Sequence, residues 1–127
     1  MTDLLERANA WLEAKRTEYA SRAVVYQRVL ATAEVQATIG RTLFEVDNGY
    51  GVLEKIESRD FLILTKDLVL DDDRTLPVSG DRIRETDGDQ VFVYEVMAPG
   101  KEPAFRYSDP YRHTLRIHTK HVDTETP

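Results

Sequence analysis

Short runs in which apolar and polar residues alternate, cut by turn residues, constrain this chain more than anything else in it. Three of them set the pattern: Gly80-Asp81-Arg82-Ile83-Arg84, then Gln90-Val91-Phe92-Val93-Tyr94-Glu95-Val96, then His113-Thr114-Leu115-Arg116-Ile117-His118. A strand turns successive side chains to opposite faces, so a period of two reads as one buried and one wet face. Thr86-Asp87-Gly88-Asp89 joins the first two runs as a hairpin. Many short strands at close spacing predict a mainly β fold, a small antiparallel β-barrel or sandwich, rather than a parallel α/β sheet.

The other strands read the same way. Val24 to Val29 opens the series with β-branched and aromatic residues. Val35 to Ile39 and Thr42 to Val46 alternate, and Asp47-Asn48-Gly49 is a hairpin signal because Asn-Gly favours positive φ. Val52 to Ile56 returns from that turn. Phe61-Leu62-Ile63-Leu64 is continuous and apolar, which suits a strand buried on both faces. Asp71-Asp72-Asp73-Arg74 reads as an exposed loop, and Pro77 and Gly80 break the chain before the next strand. Phe92, Tyr94 and Val96 share one face, with Val91, Val93 and Glu95 on the other. Residues 99–103 and 106–112 read as loops, and His113 to His118 closes the sheet.

One N-terminal α-helix is expected over residues 3–20. Leu4, Leu5, Ala8, Trp11, Leu12, Lys15 and Tyr19 recur at three- and four-residue steps. Asp3 and Glu6 have capping-box spacing. The stripe suits either a docking arm for a partner or a helix that caps one open end of the barrel. The chain therefore divides into an N-terminal helical segment over 1–22, a β-barrel domain over 23–122 and a flexible tail over 123–127.

Charge narrows the partners. The net charge is -6, and residues 31–73 alone carry ten acidic and four basic residues. An acidic body is repelled by phosphate backbones, so sequence-specific nucleic acid is not an expected partner. The chain has no cysteine, which excludes disulfides, thiol chemistry and cysteine-based zinc sites. No apolar run approaches the roughly 20 residues that span a bilayer. The start, Met1-Thr2-Asp3-Leu4-Leu5-Glu6, lacks the basic region of a signal peptide.

Chemistry-bearing motifs are scarce. Asp71-Asp72-Asp73 lacks the ligand spacing of an EF-hand loop and suits a solvated turn. His113, His118 and His121 are the only histidines. His118 and His121 with Asp123 could bind zinc, but nothing in the spacing makes them converge, and surface or edge-strand histidines account for them. Ser21, Ser58, Ser79 and Ser108 lack a nucleophile-elbow context. No carboxylate pair stands out for acid–base work. No cofactor, metal or catalytic residue is expected. The best surface candidate is Arg106, Tyr107, Asp109, Tyr111 and Arg112, because tyrosine and arginine bring contact area with a polar end. The same loop also suits a turn whose tyrosines pack on the barrel edge, with Asp109-Pro110 setting the bend.

Across residues 23–122 the chain resembles the small head–tail joining proteins of tailed bacteriophages, the head-completion, stopper and tail-attachment group. The likeness lies in Leu76-Pro77-Val78-Ser79-Gly80-Asp81-Arg82-Ile83, in Gln90 to Val96, and in the last strand Thr114-Leu115-Arg116-Ile117-His118. The resemblance implies a structural virion protein, assembled in the bacterial host cytoplasm. Its implied partners are a portal or connector protein, a tail protein and further copies in a ring. It implies no enzyme activity, cofactor or membrane. The N-terminal helix and the Tyr107–Arg112 loop depart from the family pattern. The alternatives are a bacterial β-barrel module that binds a small ligand or peptide, and an enzyme with an unrecognised carboxylate site.

Overall fold

The β-branched and aromatic runs pair into one antiparallel sheet. It is seen in a computed structural model that describes residues 4–11, 21–47 and 49–126. The strands are β1 (Arg22–Arg28), β2 (Ala31–Asp47), β3 (Leu53–Leu64), β4 (Val69–Leu70), β5 (Asp73–Arg74), β6 (Arg82–Asp87), β7 (Gln90–Val96), β8 (Phe105–Tyr107) and β9 (Thr114–Glu125). Seven of them form a sheet in the order β3-β2-β1-β6-β7-β9-β8, and β3 also pairs with β9. The sheet therefore curls until its first strand meets its sixth. It does not zip shut: the β3–β9 ladder ends at Arg59–Thr119, after which β3 continues with β2 alone and β9 continues with β7. The mainly β class with one N-terminal helix holds. The architecture is one curled sheet, neither two opposed sheets nor a closed barrel.

The inner face carries the core. Val24 and Tyr26 of β1, Val35 and Ala37 of β2, Phe61 and Ile63 of β3, Ile83 of β6, Tyr94 and Val96 of β7, and Leu115 and Ile117 of β9 are buried together. Leu68 and Leu70 join them from the segment after β3. Each fully buried aliphatic or aromatic side chain contributes about 1.5–3 kcal/mol. Phe61, Leu62 and Ile63 are all buried, as a strand covered on both faces requires.

Three boundaries differ from the sequence reading. Val35–Ile39 and Thr42–Val46 belong to one 17-residue strand, β2, and the two runs on its partner merge into β3. Gly40 sits between the first pair without breaking the strand. A Cβ there would lie 3.1 Å from Arg116 Nη1 and 3.2 Å from Leu62 Cδ1, so glycine serves close approach rather than a turn. Asp71-Asp72-Asp73-Arg74 is exposed as expected, but it contains a tight hairpin, with Asp71 and Asp72 at φ 51° and 68°. β9 runs through Asp123 to Glu125, which pair with Val93 and Val91, so the ladder reaches into the segment read as a tail.

Residues 4–11 are helical; Asp3 and residues 12–20 lie outside the described residues. Leu4, Leu5 and Trp11 are 76%, 69% and 61% exposed, so this part of the apolar stripe does not face the sheet. The helix meets the body through its polar side. Glu6 Oε1 lies 3.4 Å from His113 Nε2, and Asn9 Oδ1 lies 3.3 Å from His113 Nδ1. Glu6 thus faces a histidine across the fold.

Candidate interaction surfaces

The loop over residues 108–113 is built around one carboxylate. Asp109 is buried and accepts hydrogen bonds from the backbone N–H groups of Tyr111 (3.0 Å), His113 (3.0 Å) and Thr114 (2.9 Å). A short side chain that captures the donors two to five residues on fixes a compact turn. The 3-10 turn Thr65–Asp67 ties the loop down: Thr65 N–H donates to the His113 carbonyl and Thr65 Oγ1 to the Arg112 carbonyl. Arg112 is held at φ 61°.

The five candidate residues therefore divide. Asp109 is a buried organiser. Tyr107 lies in β8 rather than in a loop, half-buried against the core, with its ring 5.9 Å from Phe105. The Arg112 guanidinium sits 5.6 Å from the Tyr107 ring centroid. Tyr111 is half-buried with its ring 6.0 Å from that of His113. Arg106 and Arg112 are exposed. Arg106 alternates with the core-packed Phe105 and Tyr107 in β8, so it projects from the face of the strand opposite to the Tyr107 ring that Arg112 covers.

A second feature is the β2–β3 ribbon. Past Arg41–Arg59 its strands pair only with each other among the described residues. Leu43, Tyr50, Val52 and Leu53 are exposed along it. A two-stranded ribbon is marginal by itself, and this one is braced at its base. Phe44 packs edge-on against the His118 ring at 4.9 Å, and Gly100 of the β7–β8 loop lies against Val46. At the other end of β2, the β1–β2 turn exposes Val29 and Leu30, with Val29 at φ 55°. β2 spans about 55 Å at roughly 3.3 Å per residue, so the exposed apolar groups at its two ends are far apart.

The ribbon base holds a buried polar cluster on the outer face of the sheet. Asp60 accepts from His118 Nδ1 (2.9 Å), Arg116 Nη1 (2.7 Å), Ser58 Oγ and Thr42 Oγ1. Burial alone would push the Asp60 carboxyl up. The bonds from His118, Ser58, Thr42 and Arg116 outweigh burial and hold it well below the usual carboxylate range. Sequence reading treats His118 as a surface or edge histidine; it is buried. Serine, histidine and aspartate meet here, but not as a nucleophilic triad. Both Ser58 Oγ and His118 Nδ1 are directed at Asp60, and Ser58 and Asp60 are fully buried, so the serine has no path to a substrate. Among the described residues no group of three or more histidine, aspartate or glutamate side chains is placed to hold a metal ion.

Asp81, of the Gly80-Asp81 pair, is a second buried carboxylate. It accepts from Tyr26 Oη, from Arg28 Nη2 (2.8 Å) and Nε, and from the Val78 N–H (3.0 Å). Arg28 also donates to Thr75 Oγ1 and to the Leu76 carbonyl. Asp81 thus clamps the chain before β6 onto β1. Burial and the bond to Asp81 push the Tyr26 hydroxyl far above the normal tyrosine range.

Fold and surfaces together define a braced β scaffold that displays a ribbon, a helix and a compact loop organised by Asp109. The chain belongs to a family of bacteriophage assembly proteins: a family model described as phage head-tail joining protein matches residues 2–126. No curated protein matches the chain. No helix among the described residues is long and apolar enough to cross a membrane.

Proposed function

We propose that this chain is a structural virion protein that joins the DNA-filled head to the tail. It contacts a portal or connector protein on one side and a tail protein on the other, and it assembles as a ring in the host cytoplasm. The family match over residues 2–126 carries this reading. The architecture supports it. The curled sheet is filled by Tyr26, Phe61, Ile63, Leu115 and Ile117, so the body is a rigid spacer rather than a ligand chamber. Exposed aliphatic groups stand at both ends of β2. Ring formation needs two different patches on each subunit; the ribbon supplies one of them, and the Arg106–Arg112 segment is left to face a head or tail partner. The polar clusters around Asp60 and Asp81 hold the fold, and the protein works without catalysis or a cofactor.

Electron microscopy of a lysate lacking this gene tests the proposal. Separate heads and tails are expected, and leakage of DNA from the heads would place the chain at the closing step. Intact, joined particles would refute it.

A further inference from the structure

The β3–β9 ladder stops where its sequence does not require it to stop. Its rungs run from Leu64–Thr114 to Arg59–Thr119. Carried on in the same register, the next rungs set Ser58 against Lys120, Glu57 against His121, Ile56 against Val122 and Lys55 against Asp123. Two of these set oppositely charged or acid–imidazole pairs together, and one sets two β-branched aliphatic groups together. Such cross-strand pairs stabilise antiparallel sheet.

In this chain the two edges part instead. Between them lies an open cleft of about 710 Å³ lined by Arg41, Glu57, Arg59, Tyr94, Lys120 and His121. The divergence is braced. Phe44 on the His118 ring and Gly100 against Val46 hold the ribbon from its far side, and the extra residue Val122 bends β9 onto β7. Lys55, Glu57, Lys120, His121 and Asp123 are exposed, and Val122 is 38% exposed. Exposed strand edges are templates for pairing with another chain.

We infer that the β3 edge at Lys55–Ser58 pairs with the β9 edge at Lys120–Asp123 of a second copy, so that the interrupted ladder is completed between subunits. The two edges differ, so each copy can give its β3 edge to one neighbour and its β9 edge to the other, a head-to-tail contact of the kind that closes into a ring. The charge and apolar match of three of the four rungs names the occupant as another copy of this chain. This rests on the ring reading above and gives that ring its strand-level contact.

The chain has no cysteine, which makes a crosslinking test clean. Full-length copies bearing Lys55→Cys and copies bearing Asp123→Cys are supplied together to a phage lacking the gene, and the particles are oxidised and run on a non-reducing gel. A dimer found with the mixture, lost on reduction and missing from either variant alone, is expected. Both sites are exposed, and thermal unfolding of each variant checks that the fold is intact. Rings or joined particles without the mixed crosslink would overturn the strand contact and leave the ring reading standing. A crosslink confined to single chains carrying both cysteines would overturn it too, by showing that the ladder completes itself within one copy. Joined particles holding this chain only as separated single copies would overturn the ring reading and this contact together. A second variant set needs no oxidation: Lys55→Glu and Asp123→Lys each lower the yield of joined particles, and the chain carrying both restores it. Failure of the double variant to restore yield, with its fold intact, counts against the pairing.

Discussion

Asp60 and His118 stand opposite each other on β3 and β9, 2.9 Å apart through Nδ1, one rung before the two strands separate. Arg116, Ser58 and Thr42 complete the donors around the same carboxylate. The pair locks the ladder just where it gives way to the ribbon and the cleft, so the stability of this point and the set of the ribbon are linked.

Acid sensitivity follows from that cluster. Asp60 has its carboxyl lowered in the folded protein, so its contribution is fully present above the unfolded carboxylate range, near pH 4, and is lost as pH falls below it toward the folded value. Asp60→Asn is expected to cost about 3 kcal/mol at neutral pH, because Arg116 and His118 lose a buried partner. The variant should also show a shallower loss of stability between about pH 4 and 2. Chemical denaturation at a series of pH values checks both. An unchanged acid slope would show that Asp60 is not the group responsible.

Tyr26 predicts the opposite limb. Its folded pKa is raised, so its contribution is intact below the ordinary tyrosine range near 10 and is lost as pH rises beyond it. Burial raises Tyr94 as well, so spectrophotometric titration should find more than one phenol that ionises late, Tyr26 the most resistant, and Tyr26→Phe should remove that most resistant one from the curve. The same variant should cost about 1.5 kcal/mol, the value of a hydrogen bond to a charged acceptor.

Asp109 should act as a loop organiser whatever the loop binds. Asp109→Ala leaves the N–H groups of Tyr111, His113 and Thr114 without their acceptor. A loss of about 2–3 kcal/mol is expected, with faster amide exchange confined to residues 111–114 and the helix contact at His113. Exchange that speeds up throughout β9 would place Asp109 in the core rather than in the loop.

Arg106 and Arg112 should separate assembly from folding. Both are exposed, and among the described residues the Arg112 side chain adds its contact over the Tyr107 ring. Arg106→Glu with Arg112→Glu should change stability by no more than about 1 kcal/mol. If the loop is an interface, the same change sharply lowers the yield of joined particles. Full yield from a normally folded double variant removes the loop from the interface.

What was legible in the chain was local. Asp87-Gly88-Asp89 marked the β6–β7 hairpin, and the structure turns there with Gly88 at φ 63°. The alternation put Phe92, Tyr94 and Val96 on one face, and in the structure Tyr94 and Val96 lie in the core with Phe92 packed against it. The Asp109-Pro110 bend was visible, but the three amides that Asp109 gathers were not, since each depends on how the chain folds back. Periodicity grouped Leu4, Leu5, Ala8 and Trp11 on one face of the helix but could not say which face would dock, and Glu6 and Asn9 do so. The Asp60–His118 pair was beyond reach because the two residues lie 58 positions apart and meet only through strand register. The runs Val35–Ile39 and Thr42–Val46 read apart in the sequence, and their union in β2 was not legible because a glycine used for close approach, as Gly40 is, and a glycine used for a turn look alike in sequence.

The joining role itself is tested most directly by reconstitution. Heads and tails from a lysate lacking this gene are mixed with the purified full-length protein, and joined particles are counted by electron microscopy. The account predicts that adding the protein restores joined particles, and that the Arg106→Glu, Arg112→Glu protein restores few. Heads and tails that stay apart with a folded wild-type protein, or that join without it, would contradict the account.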